Sequence, residues 1–131
     1  RLQLLALKRA AGDLAASGAR IVSIVPETAE YSSQMIEMND LPFPVLSDVD
    51  HAYAMEVGLA TWMGSEVETI YAALGLDLAR FQGGRTGLLP IPATFVLGRG
   101  GRILARFVEP DFQRRMQIEA IRAALTGQSQ P

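Results

Sequence analysis

The sequence predicts an α/β fold built on a mixed sheet that ends in an antiparallel hairpin. Three observations predict it. Helix-like and strand-like apolar patterns alternate through the first half of the chain, as they do in parallel sheets with crossover helices. A glycine-rich turn, Gly98-Arg99-Gly100-Gly101, separates two β-rich runs near the end and adds an antiparallel pair. The 131 residues, 49% hydrophobic and 20% charged, suit one domain with a sizeable core.

The first helix spans Leu2 to about Ser17. Leu4, Leu7, Ala11, Leu14 and Ala15 share one face, Lys8, Arg9 and Asp13 the other, and Gly18 stands where a C-cap glycine belongs. Arg20-Ile21-Val22-Ser23-Ile24-Val25 follows, a β-branched run ended by Pro26. Its near-continuous apolar character predicts a strand buried on both faces. Thr28 can cap a second helix from about Ala29 to Asn39, in which Tyr31, Met35 and Met38 recur at helical spacing and read as core. Leu41 to Leu46 is extended, and Pro42 and Pro44 keep it to an edge or an entry. Ser47 or Asp48 can cap a helix through Ala52, Tyr53 and Val57, closed by Gly58.

Residues 59–89 read as an insertion. It holds a helix from about Glu66 to Leu74, with Val67, Ile70, Tyr71 and Leu74 on its apolar face. A short helical turn over Asp77 to Phe81 and loop glycines at 83, 84 and 87 complete it. Pro92 opens a strand, Ala93 to Leu97, and Arg102 to Val108 is the return strand after the turn. A last helix runs from about Gln117 to Thr126, with Ile118, Ile121 and Leu125 inward and Gly127 as its cap. Residues 128–131 are a tail, so a single domain covers 1–127. The first helix has no strand before it to cross over from, and the chain opens at Arg1 directly in helical periodicity. This suggests that a strand precedes Arg1.

Several stretches resemble one family. Val22 to Ser32 looks like a strand-to-helix junction of peroxiredoxin-like proteins, the alkyl hydroperoxide reductase and thiol-specific antioxidant family. Leu41-Pro42-Phe43-Pro44-Val45-Leu46-Ser47-Asp48 is the most specific match. Pro90 to Val96 resembles the family's proline-led strand, Gly100-Gly101-Arg102-Ile103 its turn, and Val108 to Arg115 a stretch before the last helix. The resemblance implies a thioredoxin-like three-layer sandwich. It also implies a thiol-dependent peroxidase that attacks peroxide through a cysteine at the start of a helix, where the macrodipole favours a thiolate. Leu2 to Ser17 would be the later part of that helix, so the central strand and the cysteine are expected before Arg1. The implied partners are a peroxide and a thiol reductant, thioredoxin- or glutathione-like, and no cofactor.

No cysteine occurs in the 131 residues, so no catalytic residue is expected within them. The alternative is a cysteine-less thioredoxin-fold module that binds or scaffolds. Where many peroxiredoxins carry an arginine beside the sulfur, this sequence has Pro92; Arg99, Arg102 and Arg106 do not fall at that position. Proline there is similar to thioredoxin, in which it is cis and faces the cysteines. Pro92, Ile91 and Thr94 are therefore expected to line the substrate site. Trp62, with Met63, either lines an apolar entrance, forms a homodimer surface or packs the insertion onto the domain.

Other readings of polar residues are weaker. Ser47, Asp48, Asp50 and His51, the sole histidine, are ligand types for a metal but read as a turn with helix capping, so no metal is expected. The glycines of 98–101 lie between strands rather than before a helix, which excludes phosphate-loop mechanics. A net charge of −2 leaves no footprint for nucleic acid, and no apolar run reaches the length of a membrane span. With no signal peptide visible, the expected location is cytoplasmic.

Overall fold

The computed structural model describes residues 2–75, 77–83, 87–111 and 113–127. Arg1, Gly84, Phe112 and the tail 128–131 lie outside the described residues. The elements run α1 (Leu2–Ala16), β1 (Ser23–Val25), α2 (Ala29–Asn39), β2 (Val45–Ser47), α3 (Ala52–Glu56), β3 (Ala60–Trp62), α4 (Ser65–Ala73), α5 (Leu78–Phe81), β4 (Leu88–Pro90), β5 (Ala93–Leu97), β6 (Ile103–Val108) and α6 (Ile118–Thr126). The chain divides into two compact units, residues 1–21 with 92–131, and residues 22–91.

In the first unit, α1 and α6 bury one face of the β5–β6 hairpin. Leu7, Ala10 and Leu14, spaced at i, i+3 and i+7, form the inner stripe of α1, and Leu14 is only 2% exposed. They pack with Val96, Met116 and Ile121; Ile118 and Leu125, expected inward on the last helix together with Ile121, are half-buried against the same cluster. Ala15 was expected on this face but is exposed, because the stripe centres on Leu14. The helix ends as Gly18 foretells: at φ +75° its N–H bonds Ala15 O at 2.9 Å while Ala19 N–H bonds Leu14 O at 3.0 Å, a Schellman closure. Strands β5 and β6 pair antiparallel, Thr94 with Phe107 and Phe95 with Arg106, around a turn in which Gly100 and Gly101 take positive φ.

In the second unit, β1 and β2 pair in parallel, Ser23 with Val45 through Val25 with Ser47. In this two-stranded sheet both strands are edges. Leu41, Phe43, Val45 and Ala54 form the buried apolar set. The strand expected over Arg20 to Val25 is three residues long and is not buried on both faces. Val22 and Ile24 are exposed, as is Leu46, the register partner of Ile24. Among the described residues only two strands pair here, so apolar runs that a wider parallel sheet would bury keep an open face. Met38, expected in the core of α2, is 73% exposed, whereas Tyr31 and Met35 are half-buried. Residues 60–90 hold an antiparallel ladder absent from the expectation, β3 with β4, pairing Ala60 with Pro90 and Trp62 with Leu88.

Candidate functional site

Pro92 precedes β5, and its carbonyl accepts a bond from Glu109 N–H at 3.1 Å, which closes the β5–β6 ladder. The Ile91–Pro92 peptide is trans, not cis as expected by analogy with thioredoxin. Trans is the intrinsically preferred isomer, by about 0.5–1 kcal/mol before proline. Thr94 is half-buried on β5 opposite Phe107. Ile91 donates its N–H to Leu59 O at 2.6 Å and so extends the β3–β4 ladder by one rung. Trp62 sits three rungs away on β3, about 10 Å at the rise of a strand. Ile91 and Trp62 thus belong to one unit, Pro92 and Thr94 to the other.

Trp62 is 70% exposed. Its ring lies over Gly87, which takes φ +93° and has no room for a Cβ. Beside Gly87 opens a cleft of about 420 Å³ whose lining includes Met63, Glu68, Tyr71, Leu78 and Gln82. The N-terminus of α5 borders it, with Asp77 capping Arg80 N–H at 3.0 Å. Tyr31 and Phe81 meet edge-to-face at 4.9 Å, and Thr28 N–H bonds Phe81 O, so α5 is anchored to the start of α2. The cleft offers a largely apolar wall with few polar groups, suited to excluding water or to holding an apolar side chain or ligand.

A second polar group lies at the carboxyl ends of β1 and β2, the edge at which parallel sheets place their sites. Asp48 takes Val25 O as a backbone partner and turns its carboxylate to Tyr53 and Ala54 N–H at 3.0 and 2.9 Å, while Asp50 accepts from Ala52 N–H. This is the capped turn that the sequence indicates. His51 follows at φ +57° and is 2% exposed, with Nε2 buried and unpartnered. Glu27 Oε2, two residues beyond β1, is likewise buried without a partner. Neither burial was legible in the sequence, because a lone histidine in a polar turn carries no pattern that signals it. Among the described residues no three His, Asp or Glu side chains gather as ligands for a metal.

A model of the AhpC/TSA family matches residues 1–106, from α1 into β6. No curated protein sequence matches the chain closely enough to count as a relative. The match spans most of the chain and both of its units, and the observed elements, a parallel β–α–β segment and a C-terminal hairpin backed by two helices, are those of a thioredoxin-like α/β fold. The chain belongs to the AhpC/TSA family.

Proposed function

We propose that this chain is the scaffold of a thiol-dependent peroxidase whose reactive cysteine is carried by a segment preceding α1. The observation that carries the reading is the family match over residues 1–106 of a sequence that holds no cysteine. A thiolate at the N-terminal end of α1 would be favoured by the helix macrodipole and by free N–H groups. In the reaction the thiolate attacks a peroxide oxygen and the O–O bond breaks. The leaving oxygen takes a proton to become an alcohol or water, and the sulfur is left as a sulfenic acid. A thiol reductant then condenses with the sulfenic acid, releases water and leaves a disulfide. Pro92 and Thr94, which belong to the same unit as α1, line the substrate side in this reading, and the cytoplasm is the compartment that keeps such a thiol reduced.

The absence of cysteine favours a second reading, a family member that keeps the fold as a binding module. Peroxide consumption by the protein isolated from its native source, with a dithiol as reductant, separates the two. Turnover that is abolished by prior alkylation supports the peroxidase, and no turnover supports the module.

A further inference from the structure

The apolar stripe of α1 begins with a polar residue. Gln3, Leu7, Ala10 and Leu14 fall at i, i+4, i+7 and i+11, so Gln3 continues toward the start of the helix the row that Leu7, Ala10 and Leu14 lay on the core. Gln3 is half-buried, and its Nε2 is fully buried without a hydrogen-bond partner. A buried amide donor without an acceptor is costly, and a leucine at this position would avoid the cost. Packing alone therefore gives no reason for a glutamine here.

The acceptor that Gln3 lacks does not come from α1. The start of a helix has a surplus of donors, because its first four N–H groups have no carbonyl a turn earlier, whereas the carbonyls there are taken up by the helix. The first turn of α1 holds no acidic side chain to meet them. Helical side chains lean toward the N-terminus and lie over the turn before their own Cα. From Gln3, the second residue of α1, that direction leads to the residues preceding the helix. The amide and the free N–H groups thus call for an acceptor on the same side, best an anion. The charged groups of the elements packed against α1 lie elsewhere. Arg122 of α6 pairs with Asp13 at 2.6 Å, ten residues or about 15 Å along the helix from Gln3. Glu119 of α6 is exposed, and Arg106 of β6, opposite Phe95, is on the hairpin face away from Val96 and α1. Lys8 and Arg9 of α1 stand off the stripe.

We propose that Gln3 donates an Nε2 hydrogen bond to the sulfur of the thiolate that precedes α1. The inference rests on the peroxidase reading and assigns a residue of this chain to its site. A hydrogen bond to the ionised sulfur favours thiolate over thiol. The amide transfers no proton and stays neutral while the sulfur attacks the peroxide. A carboxylate at this position would repel the thiolate, and an apolar side chain would leave it to the helix N-terminus alone.

The test is the rate at which iodoacetamide alkylates the full-length protein as a function of pH, for wild type, Gln3→Met and Gln3→Glu. Both variants keep the length of the side chain, and cooperative thermal unfolding shows that each folds. On the acid side of the profile Gln3→Met should react about tenfold more slowly than wild type, and Gln3→Glu more slowly still. At alkaline pH, where every thiol is ionised, the three rates should agree. A Gln3 that only ties down the backbone before α1 gives a different pattern, a lower unfolding midpoint for Gln3→Met and one alkylation profile for all three proteins. That result overturns the proposal and leaves the peroxidase reading standing. A wild-type protein that takes up no iodoacetamide overturns the peroxidase reading, and this inference with it.

Discussion

The Ser32 hydroxyl stands 2.8 Å from the Ser47 hydroxyl and ties the first turn of α2 to the last residue of β2. Ser32 is among the few fully buried polar side chains, whereas Ser47 reaches solvent. Ser32→Ala should therefore cost about 0.5–1.5 kcal/mol, because water can take over the partner. Urea unfolding of both single variants and the double variant checks this. The double variant should lose less stability than the two single losses summed, and strict additivity would mean that the contact contributes nothing.

Leu14 and Leu74 make a contrast that tests the core. Leu14 packs against Val96, Met116 and Ile121, and Leu14→Ala should lose about 2–5 kcal/mol. Leu74 is exposed, so Leu74→Ala should change stability by no more than about 0.5 kcal/mol. Denaturant midpoints at unchanged m-value would report both.

Asp48 acts as the cap of α3 through two backbone N–H groups, although His51 is the residue that borders the helix. Asp48→Ala should destabilise the protein by about 0.5–2 kcal/mol, and Asp48→Asn by less, since the amide retains one acceptor. Equal losses in the two variants would show that charge rather than hydrogen bonding dominates.

Gly87 is held at positive φ directly beneath the Trp62 ring. Gly87→Ala adds a methyl group where that ring lies and strains the backbone, a cost of about 1–3 kcal/mol. Trp62 is the sole tryptophan, so its fluorescence reports the displacement. The emission should shift in Gly87→Ala, and an unchanged spectrum would mean that the ring does not rest there.

The element order was legible because punctuation and period agree. Gly18 closes α1, and Pro92 and Gly98 bracket β5 at the residues the sequence indicates. The β3–β4 ladder was not legible. Its strands are three residues each and lie 25 residues apart between Trp62 and Leu88, too short for a period of two to emerge and paired only through tertiary structure. Helical spacing places Met38 on the side of Tyr31 but cannot say how far packing extends along that side, and the packing stops short of it. The trans bond at Pro92 shows the limit of analogy, since sequence similarity to a proline-led strand does not carry the isomer with it.

The central claim is that a cysteine preceding α1 completes the site, and one measurement addresses it most directly: the intact mass of the protein from its native source, before and after a thiol-alkylating reagent. The account predicts a mass above the 14.2 kDa of these 131 residues, a gain on alkylation, and loss of that gain after prior treatment with peroxide. A mass of 14.2 kDa with no gain would contradict it and leave the chain a cysteine-less module.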